Sequence, residues 1–290
     1  MKDFHHVQYM ELPRLAAMAE VQWTQPEQKD YAGFTKRLPA LIHLYETLGY
    51  NYAKHVFDIN GKLVADPEKN AFHTELSTID DAPIHYTLDG SEPTEDSPVM
   101  TEPVIIDKST VIKAVAIRPD GKSRVWTDSV SFNKATSHTV TLGNEPHSRY
   151  KSSGPGLLTD GRFGGSSFNT GEWIGFEGKP LVATIDLGSE QEISSVSMRL
   201  LVNTPNWIFD ARSISVEVST DGSTFTEVAS EVYPQMTKET IEIASHTLTF
   251  APVTAQYVKV TAVTETSIPA WHGIGKDKPG FLFVDEIVIN

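Results

Sequence analysis

The spacing of apolar residues changes character partway along the chain. Over residues 7–23, VQYMELPRLAAMAEVQW, Leu15, Met18, Ala19 and Gln22/Trp23 recur every three to four positions. With Ala, Leu, Met and Glu dominant, this predicts a helix, and Pro13 suits its first turn. From Tyr31 to Tyr52 a second helix is predicted, because Phe34, Leu38, Leu41, Ile42, Tyr45 and Leu48 form one apolar stripe. Two helices joined by TQPEQKD cannot bury both stripes on each other. The Tyr45/Leu48/Tyr52 face is therefore expected to pack on the segment that follows.

From Asp58 the helical period is gone. Residues 84–88, 103–106, 111–117 and 124–132 are short β-branched and aromatic runs, set apart by turn signals such as Asp89-Gly90 and Pro119-Asp120-Gly121. They predict a small immunoglobulin-like sandwich. The stretch 133–139, NKATSHT, reads as a polar linker. Beyond it come further strand candidates at 181–187, 193–202, 213–219, 224–229, 240–250, 256–263 and 281–289, with a hairpin-type turn at Thr220-Asp221-Gly222. That pattern predicts a second, larger sandwich or jelly roll. The fold class expected is mainly β: two antiparallel sandwiches preceded by two helices. The segments run 1–57, 58–136 and 137–290.

Composition narrows the partners. The 290 residues carry a net charge of −14 with no basic patch, which disfavours nucleic acid. There is no cysteine, so disulfides, thiolate-bound zinc and a thiol nucleophile are excluded. No apolar run approaches the roughly 18 residues of a membrane span. The start, MKDFHHVQYMELPRL, lacks the features of a signal peptide. Ser195 and Ser219 have no His and Asp context for a hydrolase triad, and His5, His6 and His55 have no ligand spacing.

Two stretches stand out chemically. One is the glycine-rich loop LLTDGRFGGSSFNTGEWIGF at 157–176, and the other is the terminal strand FVDEIVIN with Asp285-Glu286. Their carboxylates and loop carbonyls suit a hard cation such as Ca²⁺, which takes about 6–8 oxygens. An ordinary turn beside a solvated acidic strand end is the other reading of the same residues.

Several motifs resemble known families. YMELPRLAAMAEVQW and LPALIHLYETLGYNYA resemble the last helices of the (β/α)₈ barrel of family 20 glycoside hydrolases, the β-N-acetylhexosaminidases. HYTLDGSEPTEDSPVMTEPVIIDKSTVIKAVAI resembles the small domain that follows that barrel in chitobiase-like enzymes. LLTDG, GEWIGFEG, ATIDLG, VEVSTDGSTF, AQYVKVTAV, AWHGIGK and FLFVDEIVI resemble the discoidin (factor V/VIII type C) sandwich, which includes family 32 carbohydrate-binding modules. The resemblance implies that the two helices are left from the barrel and that the chain is the C-terminal part of an exo-acting hexosaminidase. The family's catalytic carboxylate pair has no counterpart in residues 1–57, so no catalytic residue is expected here.

The same resemblance implies sites. A structural Ca²⁺ would lie between Asp160 and Glu286, with the carbonyls of Leu157 and Arg162 as further ligands. Trp271, His272, Trp207 and Asn206, on two polar loops, are the candidate contacts for a glycan containing N-acetylhexosamine, since sugar C–H faces stack on aromatic planes. Trp173 is expected in the core. Gln256 stands where the family carries Arg. The parent protein would be periplasmic or extracellular. The competing expectation is a structural or protein-interaction module that binds no sugar.

Overall fold

A computed structural model describes residues 2–66, 69, 71–119 and 121–290. The helices are α1 (Phe4–Glu11), α2 (Arg14–Trp23) and α3 (Tyr31–Thr47). The strands are β1 (Asn60–Asp66), β2 (Ala71–Ser77), β3 (Ile84–Thr87), β4 (Ile105–Ile106), β5 (Thr110–Arg118), β6 (Gly121–Lys122) and β7 (Trp126–Val130). They continue with β8 (Thr139–Leu142), β9 (Ile174–Glu177), β10 (Leu181–Asn203), β11 (Ser213–Ser219), β12 (Thr226–Val232), β13 (Ile241–Val263) and β14 (Phe281–Ile289). Two compact units result. One comprises Met1–Val64, His73–Ile105 and Thr110–Asp128; the other comprises Ala65–Phe72, Ile106–Ser109 and Ser129–Asn290.

In the first unit the single helix expected over 7–23 is two helices. Pro13 lies between them rather than inside a first turn, and Leu12 N–H closes α1 onto the Gln8 carbonyl. Proline has no N–H to continue the ladder, so the break falls there. Asp3 caps α1 by accepting the His6 N–H at 2.8 Å. The stripe on α3 buries Leu38, Ile42 and Tyr45 together with Tyr52, and Val56, Phe57 and Ile79 pack beside them. Leu48, expected on the same face, is exposed, because α3 ends at Thr47 and Gly49 turns the chain through a positive φ. Arg118 ties the helical segment to the strands: it forks onto both oxygens of Asp80 at 2.7 Å and also donates to the Phe57 carbonyl.

The β portion has a three-stranded sheet, β1–β2–β4, and a sheet of β3, β5 and β6 in which β7 also pairs with β5. Strands β1, β2 and β6 were not expected from the sequence.

The second unit is a sandwich built on two long strands. β10 and β13, each 23 residues, pair antiparallel almost throughout, where two shorter strands apiece were expected. Gly188 and Pro252, in the gaps between those candidates, do not end these strands. They coincide with register shifts between Asp186/Gln191 and Ile193/Ser195, where the second neighbour of β10 changes from β8 to β14. Such irregularities accept an unpaired residue and a proline without an N–H. The first half of β10 pairs with β8 and the second half with β14, which in turn pairs with β9; β11 and β12 extend the sheet from the C-terminal half of β13. The inward faces carry a dry core including Leu158, Ile174, Phe176, Ile185, Met198, Val216, Val258 and Ile287.

The 133–139 stretch is not a linker. Ala135 and Thr136 are fully buried, Lys134 N–H donates to the Ile289 carbonyl at 3.0 Å, and Asn133 Oδ1 accepts the Ile289 N–H at 3.1 Å. The Asn133 side chain binds the last strand, Thr136 accepts the Asn133 N–H and Lys134 Nζ reaches the Glu192 carbonyl, so polarity alone misread the stretch.

Candidate functional site

The loop after β8 and the end of β14 meet in a buried polar cluster. Both Asp285 and Glu286 are fully buried, although they are neighbours on a strand. Asp285 Oδ2 accepts from the Gly164 N–H and from Arg199 Nη1, each at 2.8 Å, while its Oδ1 accepts the Glu286 N–H at 2.6 Å. Burial pushes the Asp285 carboxyl up to about 6, against the pull of Arg199. Phe163 lies against that guanidinium, 4.6 Å from its centre.

Glu286 turns the other way. Its Oε2 accepts the Gly161 N–H at 3.1 Å and its Oε1 accepts from Asn133 at 3.3 Å. Burial, and then the charge of Asp160, hold its proton well above the usual carboxylate range. Asp160 Oδ1 accepts the Arg162 N–H at 2.9 Å, closing an Asx turn. Gly161 has φ +69, and a Cβ there would lie 2.8 Å from Val130 and 2.9 Å from the Ser131 carbonyl. Only glycine fits both demands.

Four predicted cation ligands thus occupy one loop and one strand. Asp160 and Glu286 are close enough to repel. Leu157 is buried, its carbonyl 3.5 Å from the Asp160 N–H, and Arg162 follows within the turn. Among the described residues no three His, Asp or Glu side chains converge on one point. A cation here would take most of its oxygens from backbone carbonyls. The donor set is oxygen only, which fits Ca²⁺ and not a thiolate- or imidazole-seeking metal. Gly164 and Gly165 offer no side-chain oxygen; their N–H groups bind Asp285 and Glu172.

The second set of predicted residues lies at the opposite end of β14. Trp207 has φ 64, its N–H donates to the Thr204 carbonyl, and its own carbonyl accepts from Phe281. Gly275, φ +80, lies so close over the indole that a Cβ would sit 2.8 Å from it, and Lys278 Nζ is 5.4 Å from the ring centre. His272 places one ring nitrogen 2.8 Å from the Thr204 carbonyl and the other 2.8 Å from the Ile274 carbonyl. Trp271 donates its indole N–H to the Met236 carbonyl at 2.6 Å and is 36% exposed. Asn206 is exposed and bonds Asn203. Loops 203–207, 233–240 and 268–280 therefore form one end of the sandwich.

Beside them the structure adds residues that the sequence did not single out. His147, Tyr150 and Phe281 form a half-buried aromatic group, with ring centres 5.4–5.6 Å apart. The alternation of Phe281 and Phe283 on one strand face was the available signal; the approach of the 147–150 turn was not readable. Trp173 is buried, and its indole donates to the Gly165 carbonyl at 2.9 Å. Gln256, in the family's Arg position, donates to Asp186 at 3.0 Å.

Residues 134–274 match the F5/8 type C domain. The chain thus carries a discoidin-like domain, and residues 74–130 ahead of it match the Fn3 associated model. Comparison with curated protein sequences gives no match. Among solved structures, chitosan-binding module 2 of a chitosanase/glucanase from Paenibacillus sp. IK-5, in complex with chitotriose, is 22% identical over 54% of this chain and 98% of its own, with a TM-score of 0.36. CpGH89CBM32-5 from Clostridium perfringens, in complex with GalNAc-β-1,3-galactose, is 19% identical over 52% of this chain and 93% of its own, TM-score 0.35. CBM32-3 from a family 31 glycoside hydrolase of Clostridium perfringens is 15% identical over 55% and 92%, TM-score 0.37. Among the described residues no helix is long and apolar enough to cross a membrane.

Proposed function

We propose that the discoidin-like domain binds glycan and that the chain is the accessory C-terminal region of an exo-acting β-N-acetylhexosaminidase, itself without hydrolytic activity. The observation that carries the binding is the set of part-exposed rings on loops of the sandwich: Trp271 at 36% exposure, Trp207, and the His147–Tyr150–Phe281 group, which joins Trp207 through the Phe281 N–H on its carbonyl. Rigid aromatic planes beside polar loop groups are what a sugar ring requires. The link to a hexosaminidase rests on the helical motifs and on the order of segments. A terminal N-acetylhexosamine is the ligand proposed, and a periplasmic or extracellular setting follows from that substrate.

Ca²⁺ at Asp160 and Glu286 is proposed as a structural staple. It would offset the charges of the buried Glu286 and the half-buried Asp160 and fix the 157–165 loop to β14.

A glycan array tests the binding. Retention of GlcNAc- or GalNAc-terminated glycans, lost on Trp271→Ala, is expected; an array with no signal above background overturns it. Release of nitrophenol from a nitrophenyl N-acetylglucosaminide by the purified chain would overturn the non-catalytic part.

One observation favours the structural alternative: the Trp271 indole N–H is spent on the Met236 carbonyl, and the His272 ring lies between the Thr204 and Ile274 carbonyls. In that reading these residues clasp loops, and the domain binds a protein or nothing.

A further inference from the structure

Thr204 is fully buried where three loops meet, and each of its polar groups is engaged. It follows the last residue of β10, and the last β10–β13 pair is Asn203↔Ile241. The next pair in the same register is Thr204 with Thr240. In an antiparallel ladder, opposite residues exchange both N–H···O=C bonds or neither. Here the exchange is altered. Thr204 N–H donates to the Thr240 carbonyl at 3.1 Å, but Thr240 N–H donates to the Thr204 hydroxyl, at 2.9 Å, and not to the Thr204 carbonyl. The hydroxyl also donates to the Thr240 carbonyl at 3.3 Å. The side chain has taken the acceptor place of the main chain.

The carbonyl released in this way serves the loops. It accepts the Trp207 N–H at 2.9 Å, closing the 204–206 turn, and it stands 2.8 Å from Nε2 of His272. The hydroxyl fixes the end of the 233–240 loop at Thr240. That loop supplies Met236, whose carbonyl takes the Trp271 indole N–H at 2.6 Å. The Trp207 carbonyl accepts the Phe281 N–H, and Phe281 packs on His147 and Tyr150. Trp271 and His272 are therefore each held along a path through one buried threonine, and a third path leads from it to the other rings.

Only a hydroxyl can do this. Valine has the shape of threonine without the acceptor. A donor left without a partner inside the protein is costly, so the Thr240 N–H would claim the main-chain carbonyl instead. That oxygen has two lone pairs, already directed at Trp207 and His272.

We propose that Thr204 is the positioning residue of the carbohydrate-binding loops. Its hydroxyl replaces its carbonyl in the β10–β13 ladder, frees that carbonyl to hold Trp207 and His272, and sets the loop that holds Trp271. Being buried, Thr204 touches no ligand. This role rests on the reading that the rings bind glycan and names what holds them in place. Loops fixed beforehand lose less conformational freedom when a ligand binds.

The indole N–H signals of the isotope-labelled full chain test this without any sugar. The chain has five tryptophans, of which Trp271 and Trp173 donate their indole N–H to loop carbonyls. In Thr204→Val the Trp271 signal should move, and its exchange with solvent should quicken at least about tenfold. Trp173 donates to Gly165, on a loop outside these paths, and its signal should stay. A general loss of stability would affect both indoles alike. Thr204→Ser keeps the hydroxyl and should restore the native Trp271 signal. Calorimetry with an N-acetylglucosamine-terminated oligosaccharide should follow the same order, with affinity at least about tenfold lower for the valine variant and recovered by serine.

For a valine variant that does not fold, hydrogen exchange of the native chain decides. The Thr240 N–H, the Trp207 N–H and the Trp271 indole N–H should open together, with one protection factor. A Trp271 signal unmoved by valine, a serine variant that behaves as valine does, or three separate protection factors overturn the proposal. A Trp271 signal that moves as expected in a chain that binds no sugar supports the role of Thr204 and counts against the glycan reading alone.

Discussion

Glu286 and Gly161 are joined across 125 residues by one hydrogen bond, in which a fully buried carboxylate accepts a backbone N–H at 3.1 Å. Asp160 stands beside it with a like charge. This geometry makes the sign of a substitution predictable. In Glu286→Gln the amide oxygen keeps the Gly161 bond while the repulsion disappears. In EDTA the variant should therefore melt higher than the native chain. Millimolar Ca²⁺ should raise the native melting temperature, by about 2.7 kcal/mol of stabilisation at one hundred times the dissociation constant, and should not move the variant. A native chain whose melting and calorimetry ignore Ca²⁺ rules the staple out.

Arg199 and Asp285 form a second test. Asp285 is fully buried and its principal cation is Arg199, 2.8 Å away. In Arg199→Met the carboxylate loses that partner while the stem volume is kept. Removing one member of such a pair costs about 3–5 kcal/mol. The double variant Arg199→Met/Asp285→Asn should recover part of the loss in a urea titration. Equal stability of the single variant and the native chain would show that the pair is not coupled.

The pH dependence has two opposing parts in the absence of Ca²⁺. His138 is held below its ordinary 6.5 by burial, partly offset by Asp186. The unfolded chain then binds the proton more tightly, so this contribution is complete above about 6.5 and is lost as pH falls through the lower folded value. Asp285 is raised to about 6, so the folded chain binds the proton more tightly. Its contribution is complete below the unfolded 3.8 and is lost as pH rises through about 6. His138→Gln should flatten the destabilisation between pH 7 and 5, whereas Asp285→Asn should steepen it. Thermal melts at three pH values in EDTA decide; identical slopes in all three proteins would refute both assignments.

At the other end of β14, Gly275 touches Trp207 and takes φ +80. Gly275→Val adds both strain and a clash, of about 1–3 kcal/mol for the backbone alone. It should displace the 268–280 loop and weaken glycan retention, while Asn206→Ala, at an exposed loop position, should do less. Isothermal calorimetry with the best array ligand separates the two, and equal losses would contradict the loop-clasp geometry.

Local pattern made the elements legible. The 3–4 spacing of Phe34, Leu38, Ile42 and Tyr45 placed α3, and runs such as ISSVSMRLLV placed strands. Pattern failed where a residue's partner is distant. The gaps that hold Gly188 and Pro252 separated strand candidates because nothing local says that a paired strand continues through a register shift. NKATSHT read as linker because its polarity is answered by β14, more than 150 residues later.

The candidate sites divide in the same way. The discoidin resemblance selected Asp160, Glu286, Trp207, Trp271 and His272, since the loop and strand motifs that carry it are visible in one dimension. Only the tertiary structure decided that Asp285 and Glu286, adjacent in sequence, face different partners, Arg199 on one side and the Asp160 turn on the other. Only it brought His147 and Tyr150 to Phe281. The physical reason is that periodicity and turn chemistry are set by neighbours along the chain, whereas burial, repulsion between carboxylates and the meeting of aromatic rings arise only once long-range strand pairing has closed the sandwich.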